Sequence, residues 1–334
     1  YDEIDTWLGS NDPEVRIVKV QAPRRAVFAN CLDQKLGFSW AFVFSLRLWH
    51  AEALRVAKCL HDEQAFDIVH QLGPVGFRNA GYMYKLGVPS YWGPIGGIQY
   101  VNLKLALRSS LKYGVIAAIR NILTWLALHS PATKQAALGF DAVSFATSQN
   151  KMRFERAFKK KGPICSDQAC FESPQAGSSN PRVSTSLEVM WCGSVDDRKN
   201  IKLLMTICKA CQNAGLDVSF KVIGGGPRLK WAQNFAKENA LKNVVFTGRV
   251  PRGQVASEMK AADVLVFTSL SEANTSTFFE GLQKSCIPVA LDLDGFSTNI
   301  TSEIGFKIDT DQPYIKIVND YVFVLRELSM NHDH

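Results

Sequence analysis

Apolar positions along this chain follow two alternating spacings. Short apolar runs of about four to eight residues predict strands, and longer stretches with apolar residues every three or four positions predict helices. The predicted strands are residues 15–21, 66–72, 88–92 and 141–148 in the first half, then 187–193, 217–226, 243–248, 263–270 and 287–293. The main predicted helices are residues 40–61, 101–128, 200–214, 252–262 and 313–328, with a short helix ending near residue 86. This alternation predicts an α/β protein whose parallel sheets are covered by helices.

The pattern stops between residues 162 and 186, where the sequence is rich in Gly, Pro, Ser and Asn and has no apolar period. Such a stretch is typical of an interdomain linker. The chain has 334 residues, more than one compact core usually holds. We therefore predict a first Rossmann-like domain over 1–165, a linker over 166–186 and a second Rossmann-like domain over 187–334. Two doubly wound domains of this kind bind ligands between the carboxyl ends of their strands.

Charge and composition narrow the function only slightly. Hydrophobic residues make up 46% and charged residues 21%, as in an ordinary soluble α/β protein. The net charge of +7 favours an anionic partner such as a sugar nucleotide, a membrane surface or a nucleic acid, and it agrees equally with a basic protein that has none. The sequence begins with Tyr1 and opens mid-pattern, so we expect a fragment that lacks its natural N-terminus.

The strongest candidate site is the segment from Glu272 to Glu280, directly after the predicted strand 263–270. Thr275 and Ser276 fit the cap and first turn of a helix that carries Glu280, and such a helix start suits a diphosphate. Glu280 can accept hydrogen bonds from the two hydroxyls of a ribose, and Glu272 can reach a sugar ring. A capped surface helix with two solvated glutamates explains the spacing equally well.

Three glycine-bearing segments also follow predicted strands. Gly193 ends one strand and is followed by Arg198 and Lys199, which can neutralise a diphosphate or simply begin a solvated helix. Gly225 lies in a run of three glycines, where a backbone can approach a ligand or form a plain turn. The segment 93–97 (GPIGG) can offer backbone N–H groups or serve as an ordinary loop.

The stretch 101–130 combines apolar residues with four cations, three of which recur at four-residue steps. A helix with this pattern can lie in a membrane interface. A core-packed helix with a solvated polar stripe is the alternative, and we favour it from the pattern alone.

Taken in order, these segments resemble the family-four class of retaining glycosyltransferases, which have the GT-B fold of two Rossmann-like domains facing across a cleft. The resemblance is carried over roughly 187–300 by WCGSVDDRKNIKLL, FKVIGGGPRLKWAQ, NVVFTGRVPRGQV and ADVLVFTSLSEANTSTFFEGLQKSCIPVALDLDGFS. In the first half, FDIVHQLGPVGFRNAGYMYKLGVPSYWGPIGG is similar to a bacterial subgroup that often makes surface polysaccharides.

The resemblance implies a hexosyltransferase-type reaction of class EC 2.4, from a UDP- or GDP-linked sugar to a glycan or lipid-linked acceptor, without metal or other cofactor. It implies that Glu280 holds the donor ribose and that Glu272 contacts the donor sugar. The backbone at Thr275 and Ser276 would meet the sugar and diphosphate, and Lys199 would stabilise the leaving diphosphate. A cytoplasmic enzyme, peripheral on the inner membrane face and without a nucleic-acid partner, is the expected setting.

The chain departs from this family in several places. Ser194 stands where an arginine is usual, so either Arg198 compensates or phosphate binding is weak. Thr275 replaces a glycine, Gly93-Pro94 stands where many relatives have a histidine, and the usual opening strand and closing helix are missing. A sugar-nucleotide-binding protein that has lost catalysis is therefore the main alternative, and a sugar-nucleotide epimerase of the same fold is a weaker one.

Overall fold

The computed structural model describes residues 16–36, 39–168 and 186–330. Among these, residues 16–71 and 79–91 form one compact unit, and residues 72–78 and 92–330 form a second. The α/β class predicted from the sequence is confirmed. Much of the predicted linker lies outside the described residues, so the predicted domain boundaries stay a prediction.

The first unit is mainly helical. It contains α1 (Arg24–Leu36), α2 (Ser39–Glu63), β1 (Val69–Gln71), the 3-10 turn Met83–Lys85 and the first two residues of β2 (Ser90–Ile95). Helix α2 was predicted and α1 was not. The strand predicted over 15–21 is wrong, because residues 16–21 are irregular and mostly exposed. Their apolar residues resemble those of a strand. In the described part of the chain, however, this segment pairs with no neighbouring strand.

The second unit begins with a helical layer around the end of β2. It contains α3 (Leu103–Ser109), α4 (Leu111–Leu128), α5 (Pro131–Gly139), β3 (Ala142–Phe145) and α6 (Ser148–Phe158), and the 3-10 turn Phe77–Asn79 begins in it. The single helix predicted over 101–128 is split at Ser110, whose extended backbone (φ −159°, ψ 152°) breaks it and whose hydroxyl caps α4 by accepting the Tyr113 N–H. Strand β2 also runs further than predicted, so Gly93, Pro94 and Ile95 lie in a strand and not in a loop.

A six-stranded sheet forms the rest of the second unit. Its elements are β4 (Leu187–Cys192), α7 (Ile201–Asn213), β5 (Val218–Ile223), α8 (Leu229–Glu238), β6 (Val244–Gly248), α9 (Arg252–Ala261), β7 (Val264–Phe267), α10 (Ser276–Gln283), β8 (Ile287–Leu291), α11 (Asp294–Asn299), β9 (Phe306–Ile308) and α12 (Tyr314–Met330). Every strand predicted after residue 186 is present, whereas β9 and α11 were not predicted. The central strands β4, β7 and β8 are mostly buried, which is why each appears as a nearly continuous apolar run, whereas the edge strands β6 and β9 are more exposed.

The strand order of this sheet places a crevice at its centre. The order is β6-β5-β4-β7-β8-β9, and all neighbouring strands are parallel. The chain winds outward from β4 in one direction and from β7 in the other, so the loops after β4 and β7 diverge. In open parallel sheets ligands bind at this switch point, outside the carboxyl ends of the strands.

Candidate functional site

Three charged side chains meet at the switch point. Arg198 and Lys199 come from the loop after β4, and Glu272 comes from the loop after β7. Glu272 Oε1 accepts a hydrogen bond from Arg198 Nη1 at 2.6 Å and forms an ion pair with Lys199 Nζ at 2.7 Å. The side chains of Lys199 and Glu272 are only 11% and 13% exposed, so their attraction is screened less than that of a surface pair. The structure thus brings together three residues that the sequence proposed separately.

The two loops that carry these charges are tied together through their backbones. The Leu270 N–H donates to the Arg198 carbonyl at 2.9 Å, and the Thr268 hydroxyl donates to the Lys199 carbonyl at 2.7 Å. The Trp191 indole N–H in turn donates to the Thr268 hydroxyl at 3.1 Å. Because these bonds are buried, they fix the loops before any ligand binds.

Asp196 and Asp197 hold the first loop from its other side. The Asp196 carboxylate accepts the Lys199 N–H at 2.8 Å. The Asp197 carboxylate accepts two bonds from the Arg228 guanidinium, at 2.8 Å and 3.0 Å, and such bidentate pairs fix orientation well. The Ser109 hydroxyl, at the end of α3, donates to the Asp197 carbonyl at 2.8 Å. Sequence analysis missed Arg228, which is separated from the three glycines by one proline.

The predicted glycines Gly193 and Gly225 lie beside this loop. A Cβ on Gly193 would be 3.3 Å from Lys199 Cε, and the Gly225 carbonyl accepts the Val195 N–H at 3.1 Å. Their neighbour Gly224 has φ +139°, and a Cβ there would be 1.8 Å from the Gly193 carbonyl oxygen. The sequence analysis had left open whether the three glycines form a plain turn. The structure shows a tight turn there, and the glycines also keep the backbone close to Lys199.

Glu280 lies on α10 at the same edge of the sheet. Its carboxylate accepts a bond from Arg252 Nη2 on α9 at 3.1 Å. Cys192, the last residue of β4, lies near both Glu280 and Lys199. Burial raises the pKa of its thiol, the nearby Lys199 opposes that rise, and Glu280 adds to it. The two predicted donor-site residues are thus neighbours of one thiol at the end of β4.

The start of α10 differs from the prediction in one respect. Thr275 occupies the N-cap position, with φ −121° and ψ 130°, and Ser276 is the first helical residue, as predicted. However, no side chain in the described part of the chain caps this helix. The prediction of a side-chain cap from Thr275 is therefore wrong, because its hydroxyl does not reach the first-turn N–H groups.

Asp294 is a site residue that the sequence analysis missed. It is 2% exposed, has φ +50°, and its Oδ2 accepts the Glu272 N–H at 3.1 Å. The next residue, Gly295, donates its N–H to the Glu272 carbonyl at 3.1 Å, so the two bonds clamp the peptide at Glu272. Burial raises the pKa of Asp294 to about 7, against the opposing effects of the Glu272 N–H, Arg120 and Arg153. The signal in the sequence that could have revealed Asp294 was an acidic residue shortly after β8.

We expect Asp294 to make stability depend on pH. Its pKa is about 7 in the folded chain and near 3.8 when unfolded, so the folded state binds more protons between these values. Stability therefore falls as pH rises from about 4 to 7, by a few kcal/mol at about 1.36 kcal/mol per pKa unit. Asp294→Asn keeps an acceptor for the Glu272 N–H and should remove this slope. Thermal unfolding of both proteins from pH 5 to 8 checks it, and parallel curves would contradict the assignment.

Arg120 and Arg153 add positive charge near Asp294, and Arg78 lies near Arg120. The sequence analysis had not singled out Arg78 or Arg153. Arg120 and Arg153 lie close enough to lower the Asp294 pKa. Burial lowers the pKa of Arg78, and its neighbour Arg120 lowers it further. Arg78 Nη2 donates to the Thr124 hydroxyl at 2.7 Å. Cations held partly out of water next to one another favour binding of an anion.

Metal ligands are not grouped in the residues that the structure describes. Over 16–36, 39–168 and 186–330, no three His, Cys, Asp or Glu side chains are placed to hold one ion. Independence from metal stays a prediction.

Comparisons with known proteins identify a family match for the part of the chain that contains these residues. Residues 178–314, less than half of the chain, match the family described as Glycosyl transferases group 1. No curated protein matches the chain by sequence.

Several solved structures are similar in fold. For the lipopolysaccharide outer core galactosyltransferase WaaB in its apo form, the TM-score is 0.56 at 13% identity, over 86% of this chain and 74% of WaaB. For TarM it is 0.55 at 16%, over 84% of this chain and 52% of TarM. For the sucrose-phosphate synthase of Thermosynechococcus elongatus the TM-score is 0.53 at 16% identity, over 97% of this chain and 81% of the synthase. The chain thus spans about half the length of TarM.

At these identities the likeness establishes the fold and leaves the reaction open. The fold is consistent with the two Rossmann-like domains of GT-B glycosyltransferases. The loops after β4 and β7 and the helix α10, which carry the predicted donor-site residues, all lie inside the segment that matches the group 1 glycosyl transferases.

Proposed function

We propose that this protein is a retaining glycosyltransferase that moves a sugar from a UDP- or GDP-linked donor to a glycan or lipid-linked acceptor without a metal ion. The observation that carries the proposal is the pairing of Glu272 with both Arg198 and Lys199 at the switch point of the sheet. The match of residues 178–314 to the group 1 glycosyl transferases supports it. We further propose a cytoplasmic protein with an acceptor-side domain over 1–165 and a donor-side domain over 187–334.

The donor diphosphate would bind where the loops after β4 and β7 meet. Its oxygens replace Glu272 as partners of Lys199 and Arg198, and charge-assisted bonds of this kind are strong. The backbone N–H groups at Thr275 and Ser276 begin α10 and add the positive end of the helix dipole. Gly193 and Gly225 have no side chains and so leave room for the phosphates. The Glu280 carboxylate accepts hydrogen bonds from the two ribose hydroxyls.

The reaction then needs charge stabilisation more than a separate base. The bond from the anomeric carbon to the diphosphate oxygen breaks, and Lys199 and Arg198 stabilise the negative charge that develops there. The acceptor hydroxyl bonds to the same face of that carbon, and its proton passes to the departing phosphate oxygen. Glu272, released from the cations, holds a hydroxyl of the donor sugar. This course retains the configuration at the anomeric carbon.

Three arginines favour an acceptor that carries negative charge. Arg78, Arg120 and Arg153 lie in the second unit, and the pKa values of Arg78 and Arg153 are lowered mainly by burial. Arg78 and Arg153 each gain from an anion that replaces the water they have lost. We therefore propose a phosphate-bearing lipid-linked acceptor ahead of a neutral glycan.

A second candidate is a sugar-nucleotide-binding protein without catalysis. Ser194, in place of the arginine expected from the family resemblance, favours it, because one phosphate contact is then absent. Arg198 reaches Glu272 at 2.6 Å and so lies where a replacement cation is needed, which favours the transferase. Sugar release from a bound donor distinguishes the two.

Nucleotide binding tests both candidates. We expect calorimetry to detect UDP or GDP, and we expect Glu280→Ala to weaken binding about 10- to 100-fold, because bonds to a charged group contribute about 1.5–3 kcal/mol. Glu258→Ala is the matched control, since Glu258 also lies in an ion pair, with Lys221 at 2.7 Å.

The outcomes separate the candidates clearly. If neither nucleotide binds at millimolar concentration, both are wrong. If a nucleotide binds and its sugar reaches neither water nor an acceptor, the binding protein is correct and the transferase is not. Equal losses for the variants at Glu280 and Glu258 would remove Glu280 from the donor site.

A further inference from the structure

Helix α4 carries its large apolar side chains on its outer face. The buried residues of this helix are Gly114, Ala117, Thr124 and Leu128, of which only Leu128 is large and apolar. The outward side chains are 49–75% exposed: Leu111, Val115, Ile116, Ile119, Ile122, Leu123, Trp125 and Leu126. A helix packed on a globular core normally has the reverse arrangement. The sequence-based preference for a core-packed helix with a solvated polar stripe is therefore wrong, because the exposed stripe is apolar.

The inner face is fixed to the second unit by polar contacts. The Asn121 amide accepts the Val101 N–H and donates to the Val101 carbonyl, both at 2.9 Å. Thr124 accepts a bond from Arg78 at 2.7 Å. Helix α4 is long and apolar enough to cross a membrane. Its bonded inner face favours lying along a surface instead, since spanning would break these contacts.

The surroundings of α4 are apolar and positive. Leu103 and Leu107 on α3 and Leu138 on α5 are also exposed. Between Asp67 and Asp141 the sequence contains seven lysines and arginines and no aspartate or glutamate. Three of these cations follow one another at four-residue steps and are exposed: Lys104, Arg108 and Lys112. The segment that carries this apolar face therefore contains charged side chains of a single sign.

We propose that the outer face of α4, with α3 beside it, lies in the surface of an anionic lipid bilayer. The apolar side chains enter the boundary between headgroups and acyl chains, and Lys104, Arg108 and Lys112 meet the lipid phosphates. Trp125, half-exposed near the helix end, has the amphipathic ring that favours this depth. A second copy fits less well, because self-pairing brings the same cations together. This inference is independent of the donor chemistry.

Vesicle flotation tests the apolar part of the proposal. We expect the protein to float with vesicles of equal parts phosphatidylcholine and phosphatidylglycerol, and much less with phosphatidylcholine alone. Ile119→Ser with Leu123→Ser should lower binding to the anionic vesicles at least tenfold, because burying each large side chain is worth about tenfold or more. The matched control is Val245→Ser with Ile315→Ser, whose side chains are 58% and 64% exposed on β6 and α12. It should bind like the unchanged protein.

The role of the cations and the depth of Trp125 in the bilayer are tested by two further measurements. Replacing Lys104, Arg108 and Lys112 with Gln should weaken binding about fivefold per cation and reduce its dependence on salt. Lipids with brominated acyl chains should quench Trp125 fluorescence, and Trp125→Phe should remove that quenching. Trp231→Phe, a change on α8, should leave it unchanged.

Three results would overturn the proposal. The first is that the protein stays unbound with both kinds of vesicle. The second is that Ile119→Ser with Leu123→Ser binds like the control while unfolding at the same temperature. The third is that the protein is a dimer without lipid and this double variant is a monomer, which would mean that a second copy covers the face.

Discussion

Glu272→Ala is expected to lower kcat for sugar transfer about 10²- to 10³-fold, as large as the cost of removing one preorganised hydrogen-bonding group from an active site. The Glu272 carboxylate is the shared partner of Arg198 and Lys199, at 2.6 Å and 2.7 Å. Without it the donor sugar loses the hydroxyl contact that Glu272 makes once the diphosphate has become the partner of the two cations. Affinity for the nucleotide should not fall, because the cations remain and no internal carboxylate competes for them.

Steady-state rates and calorimetry on the same preparations separate these effects. Glu258→Ala is the control, because its Oε2 lies 2.7 Å from Lys221 Nζ, the same kind of pair outside the switch point. Glu272→Gln keeps the size of the side chain, so a loss close to that of Glu272→Ala shows that the charge matters. Unchanged turnover in Glu272→Ala would remove Glu272 from the mechanism, and a parallel fall in nucleotide affinity would indicate a collapsed loop.

Gly224→Ala is expected to destabilise the protein by about 2–4 kcal/mol, from a strained backbone and an overpacked turn. Gly224 has φ +139°, which side chains rarely adopt, and the added Cβ would be 1.8 Å from the Gly193 carbonyl oxygen. That neighbour is backbone and cannot rotate away. The turn after β5 must therefore move away from the turn after β4, and the loop that carries Lys199 would shift with it.

Chemical unfolding measures this loss, and Gly253→Ala is its matched control. A Cβ on Gly253, in the first turn of α9, would meet no atom within 4 Å. Alanine is a better helix former than glycine, so this variant should be unchanged or gain up to about 1 kcal/mol. If Gly224→Ala unfolds like the unchanged protein, the two turns can separate freely and do not position Lys199.

Five of the six strands of the second sheet could be predicted from the sequence. Strands such as β4 and β7 are mostly buried, so each is a nearly continuous apolar run. The first half could not be predicted as well. Residues 16–21 have strand-like composition and lie exposed without a strand partner among the described residues, since pairing depends on distant parts of the chain. The break at Ser110 was missed because the apolar period continues through it.

The candidate site was only partly predictable. Arg198, Lys199 and Glu272 could be named because each follows a recognisable strand, and strand ends gather at one edge of a parallel sheet. Their direct pairing depends on side-chain directions that spacing does not give. Asp294 escaped notice because its role follows from burial and from the bond to the Glu272 N–H. For α4, periodicity gives two faces of a helix and does not say which one meets solvent.

The shared position of Glu272 between two cations has a consequence for how an anion would enter the site. Before any ligand arrives, Glu272 is an internal counter-ion, so Arg198 and Lys199 need little charge from dissolved salt to balance them. A bound anion then replaces a carboxylate of the protein more than a cloud of solution ions. The affinity of the site for an anion should therefore vary less with ionic strength than the affinity of a site made of two freely solvated cations. The charge of Glu272 stays in the site at every salt concentration.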